Sequence, residues 1–242
     1  MLELIAGTLA ITLGCNLLAA VGSYVTLYTN LFAGHRIQTK TYRPDTFWKR
    51  LPLIGGNLAV LTVLTVVGLA LFHTAFDFQW QGWGLIIAQF LFLVFLDDAY
   101  FYFFHRLLHV NTYLYKRIHK VHHRAFAPFP LEYIYVHPLE WMLGALAIPV
   151  GLGLIVVLNG SISVHAFWAF AFWRNFHEID IHSGLRSSFG RLIPFYGTTE
   201  HHDRHHMKKT QGNYASTFTI WDRVLKTYIP PTQSPSQHQS VS

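Results

Sequence analysis

Cysteine and charged residues are scarce in this sequence. A single cysteine, Cys15, stands in 242 residues, so neither an intrachain disulfide nor a thiolate metal site can form. Asp, Glu, Lys and Arg make up 12% of the chain, whereas a soluble domain carries roughly 25%. Hydrophobic residues make up 52%, which excludes a disordered chain. These values indicate a membrane protein, and the net charge of +6 then favours contact with a membrane surface over nucleic acid.

Uncharged stretches predict the first three spans. The first lacks the basic start and the cleavage site of a signal peptide, so we expect it to be retained. Pro52 and the pair Gly55 and Gly56 predict a turn into the second span. A helix needs about 20 residues to cross a bilayer. The three stretches are residues 4–32, residues 51–76 and a segment from about Trp83, whose helix is expected to continue to His105.

The fourth apolar region is too long for one span. As a single helix, residues 141–173 would extend about 50 Å, whereas the hydrocarbon core is about 30 Å thick. The turn signal at Asn159, Gly160 and Ser161 predicts a helical hairpin with arms from near Pro138 to near His182. A re-entrant pair that does not cross fully is the alternative. The predicted fold class is therefore an all-α integral membrane protein with about four transmembrane helices.

Basic residues predict the orientation of these spans. Residues 77–84 and the turn near residue 159 contain no Lys or Arg. By the positive-inside rule, we expect the C-terminus and the basic segments to face the cytoplasm. The membrane is either a bacterial inner membrane or that of the endoplasmic reticulum. We expect one domain over residues 1–228, made of an N-terminal hairpin (1–76) and a His-rich catalytic region (83–228), followed by a polar tail (229–242). The loop between the first two spans carries Arg36, Lys40, Arg43, Lys49 and Arg50.

Histidine is in excess, with 16 in the chain, and most of them fall in two segments, 105–137 and 177–206. A spacing of four residues places two imidazoles on one face of a helix, one turn apart. The pattern His-x2-His-His occurs twice, and its three positions share an arc of about 100° on a helix. The candidate metal ligands from these patterns are His105, His109, His119, His122, His123, His182, His202, His205 and His206.

This set of imidazoles is larger than one ion requires, since a tetrahedral site takes four ligands. Imidazole binds zinc, copper, iron and nickel. Two ions, each with an open position, account for the whole set. Iron is preferred because two irons together supply the electrons that activate dioxygen, whereas zinc has no redox chemistry.

Neighbouring residues carry weaker predictions. His137 is either a tenth ligand or the start of a helix, and His177 and His201 are further candidates. Asp98 and Asp203 are candidates to orient a ligand imidazole through a hydrogen bond, with ion pairing to an arginine as the alternative for Asp98. The scattered histidines that need no metal are His35, His73, His165 and His238.

Several strings together resemble the sterol desaturase and fatty acid hydroxylase superfamily, and within it the C-4 methylsterol oxidases. The similarity extends over residues 96–228, in the same order and with similar gaps. The strings are HRLLH (105–109), IHKVHH (118–123), APF (127–129), HPLE (137–140), IDIHSG (179–184), HHDRHHM (201–207), GNYASTF (212–218) and WDR (221–223).

The resemblance implies a membrane di-iron oxygenase that inserts one oxygen from O2 into an unactivated C–H bond of a sterol, fatty acyl chain or sphingoid lipid, or desaturates it. It also implies the same ligand set. Electrons would come from NAD(P)H through a separate carrier, cytochrome b5 or a ferredoxin with its reductase, since the chain has no dinucleotide fingerprint. His177 departs from the family pattern, where a carboxylate stands, and is either an extra ligand or a substitution on a solvated face.

Two other classes of function remain open from the residues alone. A zinc-dependent membrane lipid hydrolase or amidase needs about three ligands and an acid/base residue, which leaves most of the histidines unexplained. A haem electron-transfer subunit with two His ligands needs single histidines that face each other in opposed spans, whereas these histidines lie in local clusters.

Overall fold

Long apolar helices form most of the protein, which a computed structural model describes over residues 1–38, 43, 45–187, 189–207 and 211–230. Short 3-10 turns cover Ala33–His35, His73–Ala75, His122–Arg124, Pro130–Ile134 and Phe189–Arg191, and a π-helix covers Tyr115–His119. Strands β1 (Phe76–Asp77) and β2 (Ile162–Ser163) pair in parallel. The α-helices are α1 (Leu2–Tyr28), α2 (Asp45–Phe72), α3 (Gly82–Val110), α4 (Thr112–Leu114), α5 (Pro138–Gly144), α6 (Ala147–Asn159), α7 (Val164–Ile181), α8 (Thr199–His206) and α9 (Ile220–Val224).

Four helical segments are long and apolar enough to cross a membrane, which confirms the predicted class of a helical integral membrane protein. The third runs past His105 to Val110, so the predicted extension of that helix is also confirmed. The segments are Leu2–Tyr28, Asp45–Ala75, Gly82–Val110 and Pro138–Asn159. Lys40, Lys208, Lys209 and residues 231–242 of the polar tail lie outside the described residues.

The predicted helical hairpin has its turn at the expected place. Helix α6 ends at Asn159, and Gly160 follows in the left-handed conformation with φ of 81°, which glycine adopts without steric cost. Ser163 then accepts a hydrogen bond from the backbone of Ala166 and starts α7. Of the two arms, only α5 and α6 form a candidate span among the described residues. Helix α7 instead packs against both α1 and α3 and carries polar residues into the bundle.

The prediction that Pro52, Gly55 and Gly56 mark a turn is wrong. Helix α2 begins at Asp45 and passes through all three positions. A proline removes one backbone hydrogen bond, but an apolar span has no water with which to satisfy a broken helix, so the helical conformation persists.

Helix α1 carries a polar stripe on the face that packs against α7 and the loop before α5. Thr8 accepts a hydrogen bond from Trp168 Nε1 at 3.1 Å, and Asn16 Oδ1 accepts one from the Tyr133 hydroxyl at 2.9 Å. At Gly7 the two helices touch, because an added Cβ would lie 2.4 Å from the Trp168 ring. This contact fixes α7, and α7 in turn leads to His182.

Candidate metal centre

The predicted ligands form two groups near the C-terminal ends of α3 and α7 and along α8. Within each group, every histidine offers one ring nitrogen, and these nitrogens all lie within 4.8 Å of one another. One group, the five-histidine group, consists of His105, His109, His119, His123 and His205. The other, the four-histidine group, consists of His122, His182, His202 and His206.

The two His-x2-His-His patterns divide between the groups in a regular way. In each pattern the outer pair, four residues apart, joins one group, and the residue between them joins the other. His119 and His123 thus belong to the five-histidine group while His122 belongs to the four-histidine group. In the second pattern, His202 and His206 belong to the four-histidine group while His205 belongs to the five-histidine group. Each pattern therefore contributes histidines to both groups.

The first pattern does not lie on one α-helix, contrary to the prediction. Its residues span the end of the π-helix at His119 and the start of a 3-10 turn at His122. A π-turn is wider than an α-turn and is common at functional sites. The change of pitch accompanies the turning of His122 away from His119 and towards His182, whose ring centroid is 5.2 Å from that of His122.

Acceptors behind the rings fix which nitrogen carries the proton. His105 Nδ1 donates to the backbone oxygen of Tyr214 at 2.8 Å, and His205 Nδ1 donates to that of Gly212 at 2.8 Å. A carbonyl oxygen only accepts, so in these neutral rings Nδ1 holds the hydrogen and Nε2 holds a lone pair. His182 Nδ1 is held in the same way, 2.8 Å from the backbone oxygen of Glu178.

Glu140 is a partner that the residue patterns did not single out. Its Oε1 lies 2.8 Å from His119 Nδ1 and accepts that proton. A carboxylate behind a ligand imidazole orients the ring and raises its basicity. The only signal for this role was the place of Glu140 in the HPLE string, three residues after His137.

The lone pairs of the five-histidine group converge. His105 Nε2 lies 3.1 Å from His119 Nε2, although both Nδ1 atoms already donate elsewhere. These two Nε2 atoms therefore present lone pairs to each other and cannot share a hydrogen bond. A cation between them removes the repulsion. Metal–nitrogen distances of about 2.0–2.1 Å require the nitrogens of two imidazoles on one ion to lie within about 4 Å of each other, and the observed spacing satisfies this.

The four-histidine group has the same convergence. His202 Nε2 lies 2.9 Å from both His182 Nε2 and His206 Nε2. All four rings are buried, with relative exposures of 2 to 5%. Both groups thus fit a transition-metal ion, because they offer neutral nitrogen donors, which suit zinc, copper, iron and nickel.

Burial keeps these donors neutral. Desolvation, the largest cause, lowers the pKa of His182 to about 4 and that of His205 to about 4. Burial together with the neighbouring imidazoles lowers the pKa of His119, His122 and His206 well below the usual value for histidine. A metal ligand must be deprotonated, so the donors are available at neutral pH.

The two predicted carboxylate partners contact other groups. Asp98 accepts hydrogen bonds from the backbone of Thr217 and Phe218 and from Trp221 Nε1, and so fastens the loop whose Tyr214 oxygen holds His105. The prediction that it orients a ligand imidazole is wrong, because these N–H groups, and not an imidazole from another helix, occupy its oxygens.

Asp203 also faces away from the ligands, and its Oδ2 accepts from Gln38 Nε2 at 2.7 Å. Asp222 is fully buried and accepts from the backbone of Tyr214 and Ala215. It therefore holds the same loop as Asp98, from the other side.

The uncertain histidines lie outside both groups. His137 caps α5, where its Nδ1 accepts from the backbone of Leu139 at 3.2 Å, so it starts a helix. His201 Nε2 lies 3.2 Å from Asp222 Oδ2. His177 is 1% exposed, so the expected alternative of a solvated face is wrong.

The scattered histidines that are described lie outside both groups. His73 Nδ1 lies 2.9 Å from the backbone oxygen of Ala70, and the ring of His165 packs on Trp80. His35 is exposed, and His238 lies outside the described residues.

Fold and site together define a helical membrane protein with two adjoining groups of buried histidines that could each hold a metal ion. The sequence profile described as "Fatty acid hydroxylase" matches residues 90–227, more than half of the chain. The chain therefore belongs to the fatty acid hydroxylase family, and we place it among the oxidoreductases that act on sterols or other lipids. No solved structure matches the chain.

Similar proteins extend this assignment. Methylsterol monooxygenase 1 of Rattus norvegicus is 38% identical over 197 residues, which cover 77% of this chain and 65% of the relative. Methylsterol monooxygenase 1 of Gallus gallus is 33% identical over 231 residues, 91% of this chain and 75% of the relative. A very-long-chain aldehyde decarbonylase of Oryza sativa subsp. indica is 32% identical over 207 residues, 81% of this chain and 75% of the relative.

Proposed function

We propose that the protein is a membrane-bound di-iron oxygenase that uses O2 to hydroxylate an unactivated C–H bond of a sterol or another membrane lipid. The observation that supports it most is the convergence of imidazole lone pairs in two adjoining groups. The two relatives named methylsterol monooxygenase favour a 4-methyl sterol as the substrate. The decarbonylase relative shows that similar chains are named for other lipid reactions.

The nine histidines of the two groups would hold two iron ions, the five-histidine group one and the four-histidine group the other. Bound iron would supply the electrons that activate O2, which is chemistry no side chain here provides. The protein sets the geometry: Tyr214 O, Gly212 O and Glu140 hold Nδ1–H groups and so aim Nε2 lone pairs at the ions.

Aromatic rings shield the groups from water. The centroid of the Phe101 ring lies 5.2 Å from that of His105, and the Tyr214 ring lies 5.2 Å from that of His109. Exclusion of water protects reactive species from side reactions. The lipid would approach from the apolar helices that lead to these rings.

A zinc hydrolase fits the donor sets less well. A catalytic zinc site uses three protein ligands and keeps one position for water. Groups of five and four histidines exceed that number. Redox chemistry shared by two ions needs both groups, whereas hydrolysis at one zinc leaves a complete group without a role.

Electrons would reach the centre from NAD(P)H through a separate carrier protein. Lys116, Arg117 and Lys120 are exposed and lie beside His119. This basic surface supports docking of an acidic carrier such as cytochrome b5 or a ferredoxin with its reductase. It also supports a cytoplasmic orientation of the centre under the positive-inside rule.

Mass spectrometry of lipids from cells with and without the protein tests the proposal. We expect a sterol or acyl lipid one oxygen atom heavier, with that atom derived from labelled O2, and about two non-haem irons per purified chain, as two separate imidazole groups imply. His35→Ala, an exposed residue, serves as the control for His122→Ala. Unchanged lipids, a product shortened by one carbon, or a single zinc would contradict the proposal.

A further inference from the structure

A polar cavity lies between α3, α7 and the loop at Ser216, next to the two histidine groups. Apolar side chains surround most of these helices, yet this cavity is lined by Asp97, Trp173, Arg174, His177 and Glu178, among others. Polar side chains inside a membrane bundle are costly and mark functional sites. The cavity is therefore unlike the packed apolar core around it.

Three of its residues carry buried polar atoms that make no well-formed hydrogen bond with any described residue. These atoms are Nε1 of Trp173, Oδ1 of Asp97 and the ring nitrogens of His177, one of which lies near the backbone of Ser216. Buried polar atoms are almost always hydrogen-bonded, so each exception asks for a partner that is not part of the protein. Three exceptions around one cavity point to a single polar ligand.

Packing holds these atoms in place. The His177 ring is parallel to that of Trp173, with centroids 6.1 Å apart, and meets the Tyr196 ring edge-on at 5.0 Å. Asp97 Oδ2 accepts from Arg174 Nε at 2.9 Å, which leaves Oδ1 as the available oxygen. The arrangement is thus fixed without any ligand.

The cavity adjoins both histidine groups. Glu178 lines it, and the backbone oxygen of Glu178 accepts from His182 of the four-histidine group at 2.8 Å. Phe101 also lines it and packs against His105 of the five-histidine group. A ligand in the cavity would therefore lie next to the reaction site.

The available atoms complement a hydroxyl group. A neutral imidazole offers one donor and one acceptor, an indole offers a donor, and a carboxylate oxygen accepts. A hydroxyl has one donor and two acceptor sites, so it satisfies this set. A charged ligand is disfavoured, because Arg174 is already paired with Asp97 in an apolar bundle. Water has the same chemistry as an alcohol, and the experiment below separates the two.

We propose that this cavity binds a hydroxyl group of the lipid substrate and that His177 is its principal partner. The proposal rests on the proposed function for the identification of the ligand as a substrate. It makes the enzyme selective for lipids that carry a free alcohol near the oxidised carbon. It also gives His177 a role in substrate binding, apart from the metal ligands.

Binding of a matched pair of sterols to the full-length, metal-loaded protein in lipid nanodiscs tests this. The probes are a radiolabelled 4-methyl sterol with a free 3-hydroxyl and the same sterol as its 3-O-methyl ether. We expect the wild type to bind the alcohol at least about tenfold more tightly, since the ether cannot donate and leaves buried atoms unpaired. His177→Phe keeps the ring stacking but removes both nitrogens, so we expect the ratio to fall close to one.

His177→Asn restores a donor and an acceptor, and we expect it to recover part of the preference. His165→Phe makes the same change on the same helix, against Trp80 and away from the cavity lining, and should keep the wild-type ratio. Trp173→Phe removes the indole N–H together with part of the ring system but leaves His177 in place, so we expect a smaller loss of preference, and it provides a second test if His177→Phe does not fold.

Equal wild-type affinity for the two sterols, or an unchanged preference in His177→Phe, would overturn the proposal. An equal loss of turnover on both sterols without any binding preference would mean that the cavity holds water only, which overturns it as well. The proposed function is tested separately by product formation: a preference for the alcohol without O2-dependent product refutes the function, and product without a preference refutes the role of the cavity.

Discussion

The two histidine groups offer the same donor atom but differ in how their rings are held. In the five-histidine group, three rings have an acceptor at Nδ1, all at 2.8 Å: His105, His119 and His205. In the four-histidine group, His182 has such a partner at 2.8 Å. The other three Nδ1 atoms are buried without a hydrogen-bond partner among the described residues, and they belong to His122, His202 and His206.

This difference in the hydrogen bonds at Nδ1 indicates which group should bind its ion more tightly. A ring fixed through Nδ1 loses less freedom on binding a metal, and its Nε2 is more basic. The five-histidine group has both more donors and more fixed rings. We therefore expect its ion to bind more tightly, while the four-histidine ion exchanges faster and leaves more of its coordination positions for small molecules.

Removal of one ligand from each group should have the largest effect. We expect His205→Ala and His122→Ala each to reduce O2-dependent hydroxylation by more than the about 10- to 100-fold that loss of an outer partner costs. His205→Ala should lose mainly the five-histidine ion and His122→Ala mainly the other. Iron content and turnover, measured on protein that elutes normally in detergent, check this.

The exposed His35→Ala is the matched control and should retain both ions. Full turnover in either ligand variant would show that its imidazole is not a ligand. Equal loss of both ions in both variants would show instead that the groups do not bind metal independently.

Glu140→Gln tests the hydrogen bond behind His119. The amide keeps an acceptor but removes the negative charge, so we expect metal affinity or turnover to fall by about 10- to 100-fold. The loss should concern the five-histidine ion, because the histidine that Glu140 contacts, His119, belongs to that group. Glu3→Gln, at an exposed position, provides the control. An unchanged affinity for both ions would remove Glu140 from the site.

Graded treatment with a chelator should separate the ions in time. We expect two phases of iron loss, the faster one from the four-histidine group, whose rings have fewer fixed partners. His122→Ala should show only the slower phase and His205→Ala only the faster one. A single phase in the wild type would show that the two groups hold their ions equally firmly. The opposite assignment of the phases would show that the four-histidine group holds its ion more firmly.

The histidines of the two groups and the place of the hairpin turn could be predicted because both follow from local residue spacing. His105 and His109 share a helical face by periodicity alone, and Gly160 ends α6 as the turn signal indicates. The division of each His-x2-His-His pattern between two groups was not predictable. The first pattern divides across the π-helix at Tyr115–His119 and the 3-10 turn that follows, whereas the second divides on the regular helix α8, so no single local pattern specifies the division.

The partners of the ligands were also beyond the sequence. Glu140 and Tyr214 contact histidines that are 21 and 109 residues away, and Gly212 contacts His205 seven residues away across a non-helical segment, so no helical period reveals them. Asp98 was a candidate because it lies on the same face of the helix as His105 and His109. Helical periodicity gives the side on which a residue lies, but not which residues of other elements it contacts there. The N–H groups that it meets come from Thr217 and Phe218, which follow more than a hundred residues later.

The smallest effect we predict concerns the loop at residues 212–218, whose Gly212 and Tyr214 oxygens hold two rings of the five-histidine group. Asp98→Asn removes acceptor capacity for Thr217, Phe218 and Trp221, and an unpaired buried group costs about 1–3 kcal/mol. The melting temperature in detergent should fall by about 2–4 °C for each kcal/mol lost. Asp77→Asn, which also loses charge at an acceptor of two hydrogen bonds but at a partly exposed position, should change it less. Because the Tyr214 oxygen that holds His105 lies in the same loop, the slower phase of iron loss should accelerate in Asp98→Asn while the faster phase stays constant. If the faster phase changed instead, Asp98 would support the other group.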